Sequence, residues 1–187
     1  MSSSIDTFRS KLTGGGARAN QFKIQFNTPG ALGSIGLDIE RTSFLVRTGQ
    51  LPGSSVGEVV VPFRGRALYL AGDREYEPWT TTVLNDNDFH VRNIIETWQN
   101  FMNDYSDGRG SVDVSTYTAD ILVRQLDRNA RSGEDFIKQY KLINCFPQAV
   151  GAIDLSYDAT TEVETFDITW RYSHFEIADL TEVSIPT

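Results

Sequence analysis

Apolar and polar positions alternate with a period of two over much of the chain. "NQFKIQFN" (Asn20 to Asn27) sends Phe22, Ile24 and Phe26 one way and Gln21, Lys23 and Gln25 the other, a strand with one buried face. "TSFLVRTG" (Thr42 to Gly49) predicts a second short strand. "EVVVPF" (Glu58 to Phe63) and "RALYLAG" (Arg66 to Gly72) flank Arg64-Gly65, a tight hairpin or kink. "YEPWTTTVLN" (Tyr76 to Asn85) predicts a strand with Pro78 near its start or on an edge, because proline brings no amide donor. "ADILVRQLDR" (Ala119 to Arg128) and "FIKQYKLINCFP" (Phe136 to Pro147) predict two more, joined by a turn at "RSGED". In "EVETFDITWRYSHFEI" (Glu162 to Ile177), Phe166, Ile168, Trp170 and Tyr172 share one face. Thr165, Asp167, Thr169, Arg171 and Ser173 share the other, a polar face suited to water or to the lumen of a larger assembly.

The period changes once. Val91, Ile94, Ile95, Trp98, Phe101, Met102 and Tyr105 fall on one stripe of an α-helix over roughly residues 88–105. Asn85 to Asp88 supply capping side chains, Asp88 suits the positive helix start, and the glycines of "SDGRGS" end it. An apolar stripe of this kind must be covered by a sheet. "NTPGALGSIGLD" (Asn27 to Asp38) and "QLPGSSVG" (Gln50 to Gly57) read as loops. The expectation is a mainly β protein, an antiparallel β-sandwich or barrel with one flanking helix, without internal repeat or second domain.

Composition narrows this. The chain has 187 residues, enough for one domain with a sizeable core. No stretch approaches the roughly 20 apolar residues of a membrane helix, and the start lacks the apolar segment of a secretion signal. Cys145 is the single cysteine, which excludes an internal disulfide. The net charge of −8 disfavours direct nucleic-acid binding, which needs a basic patch against phosphates. An acidic surface would suit something that DNA slides past without sticking.

Candidate chemistry is sparse. Gly14 to Gly16 lack the Gly-Lys-Ser/Thr of a phosphate loop and read as a hinge. His90 and His174 have no partner at zinc-ligand spacing, no Gly-x-Ser-x-Gly elbow exists, and Cys145 lies mid-strand among apolar residues. No catalytic residue, cofactor or metal is expected. The densest cluster is "YLAGDREYEPWTTTVLND" (Tyr69 to Asp86). There Gly72 allows a turn, Asp73 can accept amides within it, and Arg74 can form a forked pair inside the subunit or across a subunit boundary.

That stretch resembles the tail tube proteins of contractile-tailed phages of the T-even type. The resemblance runs through Ala71, Gly72, Asp73, Arg74, Trp79, Thr80, Thr82, Val83, Asn85, Asp86, Arg92, Trp98 and Gln99. "ARANQF" (Ala17 to Phe22), "LPG" (Leu51 to Gly53), "VRQLDR" (Val123 to Arg128), "FPQAVG" (Phe146 to Gly151) and "ETFDITW" (Glu164 to Trp170) extend it in order over most of residues 5–175. The 28–41 loop and the tail after about residue 176 look longer than is usual in that family.

The resemblance implies one tube domain over 1–187, with an N-terminal arm at about 1–19 and a C-terminal arm at about 177–187. Hexameric rings would stack into a tube inside a contractile sheath, with baseplate, tail terminator and tape measure proteins as further partners. Genomic DNA would pass down the lumen without specific binding, and the assembled tail would pierce the host membrane. On this view Asp73 and Arg74 fix a turn or a subunit contact. Thr165, Asp167, Thr169 and Arg171 face the lumen, and Leu51, Pro52, Gly53, Ser54 and Ser55 form an inter-ring loop. Two alternatives are a tube of a related system, type VI secretion or an R-type pyocin, and a β-sandwich hydrolase or carbohydrate-binding module. The second would need exposed aromatic rows and paired carboxylates in a groove.

Overall fold

A computed structural model describes residues 5–12, 16–33, 38–127, 136–158 and 161–179. Among these residues nine strands carry the fold: β1 (Phe22–Gln25), β2 (Val46–Gly49), β3 (Ser54–Phe63), β4 (Arg66–Tyr76), β5 (Trp79–Leu84), β6 (Ala119–Leu126), β7 (Phe136–Val150), β8 (Thr165–Arg171) and β9 (His174–Asp179). Four α-helices accompany them among the described residues, α1 (Ile5–Lys11), α2 (Ile39–Leu45), α3 (His90–Met102) and α4 (Val114–Tyr117), with a 3-10 turn at Gly30–Leu32.

The organising element is β7, 15 residues long. Its first half pairs with β6 on one side and β9 on the other, and its second half pairs with β8. The strand order β1-β6-β7-β8-β5-β2 therefore bends through β7 from one half of a sandwich into the other. The bend falls at Asn144, in the left-handed region at φ 55, where an asparagine side chain tolerates what most residues do not. Its N–H donates to the Asp120 carboxylate at 3.2 Å, and Lys141 pairs with the other oxygen of that carboxylate at 2.9 Å. Asp120 holds the Lys141 ammonium above its ordinary pKa, first by its hydrogen bond and then by its charge. The run from Glu162 to Ile177 bends with β7, so the expected single strand is interrupted at Tyr172 and Ser173 into β8 and β9.

The two halves close over one core. Ile24, Ile121, Val123 and Leu142 face Val83, Phe166, Ile168 and Trp170. Phe26 stacks on Trp170 with ring centroids 5.1 Å apart, tying the β1 end to β8. The predicted stripe of α3 fills one side: Val91, Ile94, Ile95 and Trp98 are buried, and the Trp98 ring meets Trp170 edge-on at 5.8 Å. All three buried indoles find acceptors, Trp98 Nε1 on the Tyr117 carbonyl at 2.6 Å, Trp79 Nε1 on the Gln50 carbonyl at 2.7 Å and Trp170 Nε1 on Thr81 Oγ1 at 3.1 Å.

Four local expectations change. Thr42 to Leu45 belong to α2 rather than to a strand, because Asp38 caps the helix by accepting the Arg41 N–H at 3.0 Å. Helix α3 is shorter than read: Asp86 accepts the His90 N–H at 2.8 Å, and the helix stops at Met102, before the glycines. Ser54 to Gly57 are strand, not loop. Gly72 to Arg74 make no turn, since they lie inside β4. The "RSGED" turn, Gly14, Gly15 and the tail after Asp179 lie outside the described residues.

Candidate assembly surfaces

Among the described residues, strands β3 and β4 pair only with each other. Their turn is the two-residue Arg64-Gly65, with φ of 46 and 81, the doubly positive geometry of a tight hairpin. Register puts Val59 opposite Leu70, Val61 opposite Leu68 and Phe63 opposite Arg66, so these six side chains lie on one face. Val59, Val61, Phe63, Leu68 and Leu70 are all exposed there. Val60 and Tyr69, paired on the opposite face, are exposed too. A lone two-stranded hairpin is marginal in water, and an apolar face of this extent marks an interaction surface.

The hairpin is rooted by aromatic rings. Tyr76 at the end of β4 meets Tyr172 at 5.9 Å and Phe175 at 5.4 Å, and Phe175 meets Tyr140 of β7 at 5.5 Å. Arg171 donates to the Tyr76 carbonyl at 3.4 Å. The root thus sits at the corner where the sandwich bends.

Asp73 and Arg74 lie partway along this hairpin, both exposed. Arg74 Nη1 donates to Ser54 Oγ at 3.4 Å across the strand pair. The register slips here, with Gly72 and Asp73 set against Gly57 alone. A Cβ on Gly72 would lie 3.1 Å from the Gly57 carbonyl carbon and oxygen. Gly72 therefore serves close backbone approach at a bulge, and the sequence reading of a turn residue assigned it the wrong task.

Leu51, Pro52 and Gly53 lead into the hairpin, and Ser54 and Ser55 are its first residues. Together with Trp79 and Tyr172 they line a cleft of about 370 Å³ beside the hairpin root. Pro52 is buried, whereas Leu51, Gly53, Ser54 and Ser55 are exposed.

Thr165, Asp167, Thr169 and Arg171 do share the outer face of β8. Register sets Thr165, Asp167 and Thr169 beside Leu84, Thr82 and Thr80 of β5, giving a hydroxyl-rich face, and Thr82 donates to Asp167 Oδ1 at 2.6 Å. Phe166, Ile168 and Trp170 point into the core behind it. The alternation was fully legible in the sequence. The partner row on β5 follows only from the pairing.

Several family-like residues serve the interior. Asp86 caps α3 and accepts Arg41 Nη2 at 2.7 Å, and Asp88 accepts the same nitrogen at 2.9 Å. These partners, the Asp88 hydrogen bond foremost, hold the Arg41 guanidinium above its ordinary pKa. Asn85 donates to Glu164 at 2.8 Å. Arg92 pairs with Glu96 at 2.7 Å, donates to the Gly151 carbonyl at 3.0 Å, and lies over the Phe166 ring. Gln99 donates to the Pro147 carbonyl at 3.3 Å. Burial pushes the Cys145 thiol up to about 12, so it is no nucleophile. Among the described residues no group of three His, Cys, Asp or Glu side chains is placed to hold a metal, and no helix is long and apolar enough to cross a membrane.

The family model described as "Phage tail tube protein" matches residues 17–178. The chain belongs to the phage tail tube protein family. Relatives in this family include the tail tube protein gp19 of Enterobacteria phage T4, 27% identical over 175 residues, covering 91% of this chain and 98% of the relative. The tail tube protein of Serratia phage KSP90 is 26% identical over 170 residues, covering 90% and 93%. Solved structures share the fold at low identity. A chain in the baseplate of the anti-feeding prophage aligns with TM-score 0.62 at 12% identity, over 88% of this chain and 96% of that one. A chain in the sheath-tube complex of an extracellular contractile injection system aligns with TM-score 0.54 at 11% identity, over 96% and 100%. Membership places this tail tube protein among the structural components of the phage tail.

Proposed function

We propose that this chain is the repeating subunit of the inner tube of a contractile phage tail, with copies closing into rings, six to a ring, and rings stacking around a lumen that conducts the genome. The observation that carries the reading is the β3–β4 hairpin, whose apolar face lies open in the single chain and needs a neighbour to cover it. The edge strands β1 and β2 would pair with adjacent subunits, as rings require. The hydroxyl-rich row of β5 and β8 lines the lumen. Six chains at −8 each give a ring of −48, and like charge keeps DNA phosphates from adhering. Around this tube we place the sheath, the baseplate, the tail terminator and, within the lumen, the tape measure protein. No catalytic step is assigned, and the piercing of the host membrane belongs to the whole tail.

Electron microscopy of the purified protein tests this. Rings or tubes, alone or seeded by baseplate, are expected. Monomers at every concentration and salt, with or without baseplate, overturn it. A tube of a bacterial injection system is the second reading, favoured by the shared fold. Portal, terminase and capsid genes beside this one would decide for the phage, and secretion genes against it.

A further inference from the structure

Two further surfaces are open in the single chain and complement each other, the second meeting the β8 row at Thr165. The first is α1, whose Ile5, Phe8 and Leu12 fall at i, i+3 and i+7 on one side of the helix and are 81%, 67% and 44% exposed. A seven-residue helix has no stability of its own in water, so it needs a surface to lie on. Its segment carries one acid and two bases, Asp6 against Arg9 and Lys11.

The second is a cleft of about 590 Å³ between residues 152–157 and 162–165. Leu155, Tyr157 and Val163 on its walls are exposed apolar side chains. Asp154, Glu162 and Glu164 add three carboxylates, and among the described residues no cation lines it. Glu164 is already engaged by Asn85, which leaves Asp154 and Glu162 for an incoming cation.

We infer that α1 of one copy docks, apolar stripe inward, into the 152–165 cleft of another copy, where Asp154 and Glu162 meet its basic segment. Helix-in-groove recognition needs an amphipathic helix with a few apolar anchors and a groove of matching character, and one chain supplies both. Because the two patches differ, the contact is head-to-tail, which generates rings or stacks rather than closed pairs. The inference rests on the tube reading and names one of its contacts.

Cross-linking tests it. Tubes are assembled from a mixture of Phe8→Cys and Leu155→Cys chains and treated with a bismaleimide, the buried Cys145 serving as an unreactive background. A covalent dimer from the mixture, absent from Phe8→Cys tubes alone, is expected. Tubes that form normally but give no dimer overturn the docking and leave the tube reading intact. Cross-linking within single chains of the double variant, as monomers, also overturns it. Failure of the unmodified chain to assemble overturns the tube reading, and the docking with it. Independently, Phe8→Glu should leave thermal melting unchanged while raising the concentration needed for assembly about tenfold, the effect of roughly 1.4 kcal/mol. Unchanged assembly of that variant counts against the docking.

Discussion

Single residues here divide between the core and the exposed faces proposed to meet other copies. Trp98 is wholly buried, hydrogen-bonded and set edge-on against Trp170, so Trp98→Ala should cost about 3–5 kcal/mol of folding stability, read by denaturant titration. Asp73 and Arg74 should behave in the opposite way. They are exposed on a hairpin the core does not touch, so Asp73→Ala and Arg74→Ala should change stability by less than about 0.5 kcal/mol while impairing tube formation. Microscopy beside melting curves separates the two, and normal tubes would mark the pair as ordinary surface. Cys145 should resist thiol reagents in the native protein and react fully in denaturant. Its raised pKa also sets a sign. The buried thiol's contribution to stability is whole below its ordinary value of 9.0 and is lost as pH climbs from there toward about 12.

At the scale of elements, the hairpin is the part whose removal is most informative. Replacing Ser55–Glu75 by a short turn should leave the sandwich folded, because neither strand pairs with it, yet abolish assembly, which light scattering and circular dichroism would record together. The elements also show what a sequence can and cannot reveal. The α3 stripe and the two faces of β8 were legible because both are local, each set by the period of one segment. Helix α2 was missed because Thr42, Val46 and Thr48 read as strand formers, although Asp38 and Glu40 carried the signal of a helix start. The start of β3 was missed because "PGSSVG" has loop composition, and only the register against Arg74 to Tyr76 makes it strand. Gly72 was misread for the same reason, since its purpose lies in a backbone 15 residues away at Gly57. The hairpin's open apolar face was hidden as well, because a sequence shows which residues are apolar and not which of them the fold leaves uncovered.

For the whole molecule, charge and lining matter more than any one contact. Thr169→Lys, on the proposed lumen face and clear of the 152–165 cleft, would bring one cation per subunit to the path of the DNA. Tubes should still form, since this side chain does not enter the core, but genome release should slow, and the delay should shrink as salt rises and screens the attraction. Release from purified particles, followed with an intercalating dye, gives the rate. Unchanged release would place this face elsewhere in the tube.

One feature of the fold bears on how such a tube moves. Because β7 belongs to both halves of the sandwich, the halves cannot slide past one another without unzipping a strand paired on both sides along its first half. A push at one end of the subunit is therefore carried to the other through a continuous hydrogen-bonded ladder rather than absorbed by shear. Stacked into a column, such subunits would behave as a stiff rod, delivering the stroke of a shortening jacket to the tip with little loss of length.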